Sequence, residues 1–517
     1  MQISSSKNGA GFRFAMKTSF CAFVSIILLA SIFPPTSIWP LAFIAFVPLM
    51  IVCSKHSAFQ SFAILMCVGL IVENIIFIWI YKLEVFTPVH GLLLGVYFAL
   101  YWSIWGACTS WILRSKLSQT LKMLSVASVW VLLEYGMANM GFLAFPWNTL
   151  AQSQTSNLWL IQWSAVFGEY VIAFFIIAVN YIFYAHKTFS KREIRVSALF
   201  VVIFYLSGAL DYYFNNDQTG KPVRVASFQT NFLRVRTAEN VDPARRLQRV
   251  LSMAEDSLAE SPDILVFPEG TLHGNGVAYD INLARLRAFA KRNQIPIVLG
   301  YMRDDKYSSQ VDSKEQFNAA ILIDSDKELT IYHKMLLMPF SERLPLEGII
   351  VWPRWLVPND MFLTPGVKST PMSAGDIHAV PIICWENLFA GFVKKSLSKE
   401  SNIIIDIVND NWFGNTPAPY QHNNISVFRA IENGLPLVIS SNTGPSQIID
   451  SNGRVLAMSD EIFEPSTVIA DVRLRSTRTI YFYIGDIFIV FCILVLTIAL
   501  VMTIMVRRTT GLSTIKS

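Results

Sequence analysis

The sequence is poor in charged residues. Asp, Glu, Lys and Arg make up 15% of the 517 residues, whereas 53% are hydrophobic. An average soluble protein carries about 25% charged residues, so this composition excludes a purely soluble protein and predicts a membrane protein. The net charge of +5 is accounted for by short basic segments between apolar runs, and we expect no nucleic-acid partner.

Cysteine is scarce outside the apolar runs. Five of the six cysteines lie within those runs, and only Cys384 lies outside them. Without a disulfide partner in its own segment, this thiol is either a buried bystander or a reactive group. The sequence also lacks a P-loop, a GxSxG motif and an HExxH motif. Zinc-ligand spacing is absent among the histidines of the same segment, so we expect neither a metal nor a cofactor; these are His273, His333, His378 and His422.

Eight apolar runs have roughly the length needed to cross a bilayer. They lie near residues 19–33, 38–54, 60–81, 90–113, 121–138, 159–184, 195–212 and 480–505. The sequence therefore predicts an N-terminal membrane domain over 1–215 with about seven transmembrane helices, a C-terminal transmembrane helix over 479–506 and a cytoplasmic tail over 507–517.

Lys and Arg residues collect in every second loop of this arrangement, with Lys82 as the exception. The basic positions are Lys7, Arg13, Lys17, Lys55, Arg114, Lys116, Lys122, Lys187, Lys191, Arg192, Arg195, Arg507 and Arg508. Because basic loops stay in the cytoplasm, the pattern predicts a cytoplasmic N-terminus and places residues 222–475 on the opposite side of the membrane.

Residues 222–475 have the composition of a soluble domain. Short apolar runs such as DILVFPE, AVPIICW and NIIIDIVND predict strands, and they alternate with helical patterns such as INLARLRAFAKRNQ. The stretch AILIDSDKELTIYHK predicts two strands joined around Ser325 and Asp326 as a β-hairpin. Together these patterns predict a layered α/β domain with a mixed sheet.

Three predicted strands are followed directly by groups that can carry acyl-transfer chemistry, namely Glu269, Lys334 and Cys384. Loops at strand ends bring distant residues together in α/β sheets. A thiolate is a strong nucleophile, a carboxylate can take the thiol proton, and an ammonium stabilises an oxyanion. The spacing alone does not prove this set, since such residues also occur at strand ends by chance.

The sequence motifs around Glu269, Lys334 and Cys384 make the assignment of these residues to one site specific. FPEG, HKMLLMPFSERLPLE, PIICWEN and VNDNWFGN, in this order, resemble the nitrilase superfamily, whose members use a Glu-Lys-Cys triad on an α-β-β-α sandwich. With seven spans before this domain and one after it, the whole chain is similar to the membrane-embedded apolipoprotein N-acyltransferase family. That resemblance includes FPWNTLAQSQ at 145–154.

The resemblance implies transfer of a fatty acyl chain from a phospholipid, typically phosphatidylethanolamine, to the α-amino group of the diacylglyceryl-cysteine of apolipoproteins. It implies Cys384 as nucleophile, Glu269 as general acid and base, and Lys334 as the oxyanion partner. Glu342 would sit beside the triad and orient Lys334 or the thiol, and Trp385 and Glu386 would shape the pocket and position the acceptor amine. The implied protein is a multi-pass monomer of the bacterial inner membrane with its catalytic domain at the periplasmic side.

The sequence departs from the family at two places. Trp385 occupies a position at which the family commonly has Tyr. The loop LRVRTAEN after VASFQTN lacks the tryptophan that relatives carry, so the family's role for this loop in gating the substrate cannot be assigned to residues 232–240. A membrane-anchored amidase or nitrilase-like hydrolase and an inactive lipid-binding or transport module remain alternatives. The segment 347–366, with Trp352, Trp355, Leu356 and Phe362, is predicted to be either a lipid-facing flap or an insert packed on the sheet.

Overall fold

The protein divides into two compact units in a computed structural model. One unit contains Met1–Tyr81, Thr87–Asp211 and Ile484–Ser517, and the other contains Lys82–Phe86 and Tyr212–Tyr483. The structure describes residues 3–83, 87–214, 220–233, 242–274, 276–304, 316–325, 327–353, 355, 357 and 363–514.

The first unit is helical. Its α-helices, α1 to α9 in chain order and then α15 near the C-terminus, are Ile3–Ser31, Val47–Lys55, Ala58–Ile76, Pro88–Arg114, Gln119–Ala138, Leu158–Ile161, Ser164–Phe167, Tyr170–Ala185, Lys191–Phe214 and Ile487–Thr514. Among the described residues, six helical stretches are long and apolar enough to cross a membrane: Phe12–Ser31, Ala58–Ile76, Pro88–Arg114, Gln119–Ala138, Lys191–Phe214 and Ile487–Val506. These agree with six of the eight predicted spans.

The other two predicted spans are interrupted helices. The run at 38–54 begins as the 3₁₀-helix Trp39–Phe43 and continues as α2, and each of these helices has a proline in its first turn. Buried Asn180 on α8 compensates for the break, since its Oδ1 accepts from Phe46 N at 2.9 Å and its Nδ2 donates to Ala42 O at 2.8 Å. An amide can thus replace the intrahelical bonds that an apolar environment otherwise demands.

The run at 159–184 is interrupted at Gly168, which has a φ of 75° and separates α7 from α8. The runs at 38–54 and 159–184 are therefore interrupted helices, because proline and a left-handed glycine end helical hydrogen bonding. The number of membrane crossings stays a prediction.

The second unit is an α/β domain. Its strands β1 to β13 are Pro222–Gln229, Ile264–Val266, Leu272–Gly274, Ile297–Asp304, Gln316–Ile323, Thr330–His333, Met372–Ala374, Ile377–Ile383, Ile403–Val408, Leu437–Ser441, Gln447–Ile449, Val455–Met458 and Ser466–Arg473. Its helices α10 to α14 are Pro243–Ser257, Gly276–Asn293, Ala390–Ser396, Ala418–Asn433 and Ile480–Ile484.

Both sheets are mixed. The first has the order β13-β1-β2-β4-β5-β6 with β3 beside β4, and the second has the order β12-β11-β10-β9-β8-β7. Strands β1, β2 and β4 run parallel in the first sheet, as do β8, β9 and β10 in the second. The β-hairpin predicted around Ser325 is confirmed by the antiparallel pairing of β5 with β6, while Asp326 lies outside the described residues.

The two sheets face each other across one core and carry helices on their outer sides, as the nitrilase-like sandwich requires. Side chains from both sheets fill the space between them, including Val225 and Val266 from the first and Ile405 and Val438 from the second. Serine hydroxyls also join the sheets, because Ser440 Oγ on β10 donates to Phe228 O at 2.9 Å and to Val266 O at 3.0 Å.

Candidate functional site

Glu269 lies just beyond the C-terminal end of β2 and is 8% exposed. Asn318 on β5 donates from Nδ2 to Glu269 Oε1 at 2.5 Å. The backbone around Glu269 packs directly on Gly300 of β4, where an added Cβ would lie 2.5 Å from Glu269 Cα. Both the backbone and the carboxylate of Glu269 are thus held by neighbouring strands of the first sheet.

Lys334 directly follows β6, and its side chain is 2% exposed. Its Nζ lies 2.8 Å from Glu342 Oε1 and 3.6 Å from Glu269 Oε1. A buried ammonium is costly unless it is paired and hydrogen-bonded, so these two carboxylates keep Lys334 charged inside the site.

Glu342 is partly buried and anchored at both oxygens. Its Oε1 receives the Lys334 ammonium, and its Oε2 accepts from Met338 N at 2.7 Å. The amide of Asn318 also lies 3.4 Å from Glu342 Oε1. Glu342 therefore holds the Lys334 ammonium in position.

Cys384 is half-buried at the end of β8 and begins the 3₁₀-helix Cys384–Leu388. Its φ of 51° places a non-glycine residue in the left-handed region, which costs about 1–2 kcal/mol. Its backbone N–H donates to Asp406 Oδ1 on β9 at 3.2 Å, which helps to hold the turn. A sharp turn thus joins the strand to the 3₁₀-helix at Cys384, and backbone strain of this kind clusters at active sites.

The three predicted catalytic residues meet at one place, although they come from two sheets. Lys334 Nζ lies 3.6 Å from Glu269 Oε1, and the charges of Lys334 and Glu269 both act on the Cys384 thiol. Glu269 and Lys334 follow strands of the first sheet, whereas Cys384 follows a strand of the second. The sandwich thus brings a carboxylate, a cation and a thiol together at one site.

Burial governs the protonation of these groups. It raises the pKa of Cys384 well above the ordinary value for a thiol; Glu269 raises it further and Lys334 opposes the shift. Burial also raises the pKa of Glu269, against the attraction of Lys334. For Lys334, burial disfavours the ammonium, but Glu342 and Glu269 outweigh it and the pKa is raised. The raised pKa of Cys384 therefore favours the neutral thiol, and the raised pKa of Glu269 makes its carboxylate a stronger base.

Glu386 is fully buried beneath the site rather than open to it. Its Oε1 accepts from Met335 N at 2.6 Å and Leu336 N at 3.0 Å, its Oε2 accepts from Ile383 N at 2.8 Å, and both oxygens are within 2.8 Å of the Tyr332 hydroxyl. These donors flank Lys334 and Cys384 in sequence. The geometry supports a positioning role for Glu386 that links the end of β6 to the end of β8.

Trp385 is 5% exposed and packs edge-to-face on Phe389, with ring centroids 5.7 Å apart. It forms part of the wall next to Cys384. The departing loop at 232–240 is described only as far as Leu233, and the remaining positions lie outside the described residues.

Sequence reasoning missed a buried polar network behind Cys384. Asp406 accepts from Asn387 Nδ2 at 3.1 Å, and Asn387 Oδ1 lies 3.0 Å from His422 Nε2. His422 Nδ1 lies 3.1 Å from Asp410 Oδ1, so both ring nitrogens face acceptors and the charged imidazole is favoured. Burial opposes that charge, but Asp410 outweighs it and raises the pKa of His422. A polar residue inside an apolar run, such as Asp406 in NIIIDIV, is the sequence signal that could have revealed this network.

The flap predicted at 347–366 is only partly described, since Leu356 and Phe362 lie outside the described residues. Trp352 packs edge-to-face on Phe340, and its Nε1 donates to Pro345 O at 2.7 Å. By contrast, Val351 is 98% exposed and Trp355 is 58% exposed. Trp352 therefore supports the segment, while its neighbours present the apolar surface.

Within the described parts of the chain, no cluster of three or more His, Cys, Asp or Glu side chains is arranged to hold a metal ion.

Comparison with known proteins gives two family matches. The model described as apolipoprotein N-acyltransferase N-terminal domain matches residues 25–182, and the carbon-nitrogen hydrolase model matches residues 224–482. The apolipoprotein N-acyltransferase of Geobacter metallireducens is 28% identical over 494 residues, which cover 91% of this chain and 92% of the relative. That of Chlorobaculum tepidum is 24% identical over 516 residues, which cover 92% and 94%. Among solved structures, an amidase from Nesterenkonia sp. shares 19% identity over 48% of this chain and 90% of its own, with a TM-score of 0.36.

Proposed function

Because the chain belongs to the carbon-nitrogen hydrolase family and to the apolipoprotein N-acyltransferases within it, we propose that it acylates lipoproteins from a phospholipid donor. The expected donor is phosphatidylethanolamine, and the acceptor is the free α-amino group of an N-terminal diacylglyceryl-cysteine. The observation that carries this proposal is the meeting of Glu269, Lys334 and Cys384 in a chain that also carries a multi-span membrane unit.

The first half-reaction forms a thioester. Glu269 takes the thiol proton as the Cys384 sulfur attacks the ester carbonyl of the phospholipid. Lys334 stabilises the oxyanion of the tetrahedral intermediate. When the intermediate collapses, Glu269 returns the proton to the departing alcohol oxygen, which leaves a lysophospholipid and an acylated Cys384.

The second half-reaction transfers the acyl chain to nitrogen. The α-amino group attacks the thioester carbonyl while Glu269 takes a proton from it, and Lys334 again stabilises the oxyanion. Collapse breaks the carbon–sulfur bond, and the proton on Glu269 returns to the sulfur of Cys384. The products are the N-acylated lipoprotein and the enzyme in its starting state.

The supporting residues have distinct parts in this scheme. Glu342 holds the Lys334 ammonium in place, and Trp385 forms the wall beside the thioester. Glu386 acts through position rather than through contact with the acceptor amine, because its oxygens are already occupied by protein donors.

A lipid donor and a lipid-modified acceptor explain why a nitrilase-like domain is joined to a multi-pass membrane unit. We place the enzyme in the bacterial inner membrane as a monomer, with the catalytic unit on the periplasmic side, in line with the distribution of basic loops. The exposed apolar side chains around Val351 and Trp355 suit a lipid-facing flap.

The alternative of a membrane-anchored hydrolase differs only in the acceptor of the second step. Water would then replace the amine, and the acyl chain would leave as a free fatty acid. An inactive module would form no acyl-enzyme at all. The relatives favour the transferase, since they are named as N-acyltransferases over nearly the full chain.

Intact-mass spectrometry of the purified chain incubated with phosphatidylethanolamine tests this proposal. An acyl-sized mass gain is expected in the wild type and in the control Cys67→Ala, whose thiol is exposed on α3, but not in Cys384→Ala. Addition of a diacylglyceryl-cysteine peptide should move the acyl group to the peptide amine. Release of the acyl group to water alone would favour the hydrolase, and no mass gain in the wild type would contradict the thioester mechanism.

A further inference from the structure

The membrane unit contains a cavity of about 610 Å³ between α5, α8, α9 and α15. Its volume lies in the range of about 300–1,000 Å³ that is typical of small-molecule sites. All of its lining residues belong to the membrane unit, so it is separate from the catalytic residues described above.

Helix α9 is held against its neighbours near its C-terminal end. An added Cβ on Gly208 would lie 2.0 Å from Trp159 O, which shows how closely the two segments approach. Trp163 Nε1 donates to Phe204 O at 2.9 Å, and Asn157 Nδ2 donates to the Tyr205 hydroxyl at 2.9 Å. At the opposite end of α9, the side-chain hydrogen bonds of Glu193 and Arg195 are made within Ser190–Arg195.

Seven of the sixteen residues that line the cavity are aromatic. Trp163 stacks on Phe204 with centroids 4.5 Å apart, and Phe174 packs edge-to-face on Phe488 at 5.3 Å. The lining positions on α9 extend from Arg192 to Phe204. At 1.5 Å per residue this is about 18 Å, close to the roughly 15 Å that one leaflet contributes to the hydrocarbon core.

A cation stands at one end of this apolar cavity. Within the part of the chain that the structure describes, Arg192 makes no ion pair or hydrogen bond with another side chain, and it lines the cavity. The neighbouring Glu193 is also at the cavity, but its Oε2 accepts from Ser190 N and Oγ, both at 2.8 Å. A guanidinium is well suited to a phosphate group.

From this geometry we propose that the cavity is a non-catalytic binding site for a diacyl glycerophospholipid. One acyl chain lies along α9 between the aromatic rings, and the phosphate is bound by Arg192. The charge pattern of the sequence assigns the Arg192 end to the cytoplasmic side, so this lipid belongs to the leaflet opposite the one predicted to supply the acyl donor.

Native mass spectrometry of the full chain with dioleoyl phosphatidylglycerol tests the site in a Cys384→Ala background, which prevents acyl transfer. Arg192→Ala removes the cation, and Ser197→Trp fills the cavity from the buried face of α9. The matched controls are Arg195→Ala and Leu199→Trp, which change exposed positions of the same helix that do not line the cavity. Dioleoylglycerol serves as the lipid without a phosphate.

We expect one retained phospholipid in the background protein and in both controls, and about tenfold weaker retention in Arg192→Ala and in Ser197→Trp. Dioleoylglycerol should be retained as weakly by the background protein as the phospholipid is by Arg192→Ala. Equal phospholipid retention in all four variants would overturn the proposal, and so would equal retention of the two lipids by the background protein. Neither result depends on thioester formation, so failure here is distinct from failure of the proposed function.

Discussion

Lys334 and Glu342 form a buried ion pair in which Nζ lies 2.8 Å from Oε1. This pairing keeps the ammonium charged, while the carboxylate of Glu269, the proposed base, lies farther away at 3.6 Å. The electrostatic state of the site is therefore set by three groups, two carboxylates and one ammonium, rather than by the triad alone.

Replacing Glu342 by Gln should shift the pH dependence of acyl-enzyme formation to lower pH. Burial is the main cause of the raised pKa of Glu269, but Glu342 raises it further and Lys334 lowers it. Without the Glu342 charge, the pKa of Glu269 falls, so the base becomes active at lower pH. The plateau rate should also fall by about 10-fold to 100-fold because Lys334 is less well held. Rapid-quench measurement of the rate of acyl-enzyme formation as a function of pH checks this prediction. Glu328→Gln, at an exposed position, is the control. A pH–rate profile whose rising limb is not shifted in Glu342→Gln would contradict the prediction.

Gly300→Ala should impair catalysis without touching a catalytic side chain. The new Cβ would lie 2.4 Å from Pro268 O and 2.5 Å from Glu269 Cα, so the backbone that carries the base has to move. A displacement of this kind can cost about 100-fold in rate. The acylation rate of the folded variant is the readout. Gly391→Ala on α12 is the matched control, since its Cβ would meet nothing within 4 Å, and equal rates in the two variants would refute the expectation.

The left-handed backbone at Cys384 predicts an unusual order of stabilities. Cys384→Gly should be more stable than Cys384→Ala by about 1 kcal/mol, because glycine relieves the strain of φ 51°. At exposed Lys395 on helix α12 the order should be reversed, with Ala more stable than Gly. Thermal unfolding of the two pairs measures both differences, and Cys384→Ala unfolding at the higher temperature would exclude strain at the nucleophile.

The exposed surface at Val351 and Trp355 should govern the concentration of lipid that turnover requires. Val351→Ser together with Trp355→Ala should raise the KM for phospholipid severalfold at nearly constant kcat, because apolar area is lost only from lipid contact. Val367→Ser changes a residue that is 91% exposed but lies just beyond the segment, and it should leave KM unchanged. An unaltered lipid dependence in the double variant would show that the segment is not a lipid-facing flap.

Much of the catalytic unit could be predicted from sequence because the signals are local. A buried strand appears as an apolar run, and Glu269, Lys334 and Cys384 each follow such a run directly. The partners that position them are not local, since Asn318 and Glu269 are 49 residues apart. The amide of Asn318 inside the otherwise apolar run FNAAILI was the available signal.

The membrane unit shows a different limit of sequence reasoning. Average hydropathy over a long window treats 38–54 and 159–184 as continuous spans, although prolines in the first turns at Trp39 and Val47 and the left-handed Gly168 interrupt them. The compensating amide of Asn180 is more than 130 residues from Phe46, so no local pattern could pair them.

Because the proposed catalytic residues are divided between two sheets, the proposed reaction depends on how the two sheets are aligned. Glu269 and Lys334 move with one sheet and Cys384 with the other. Hydrogen bonds of the Ser440 hydroxyl on β10 and of the Glu386 carboxylate join the two sheets and resist sliding between them. A shift of about 1 Å between the sheets would separate the thiol from its base, although each sheet would keep its own hydrogen bonds. Activity should therefore be lost at a lower temperature than the one at which the α/β domain unfolds.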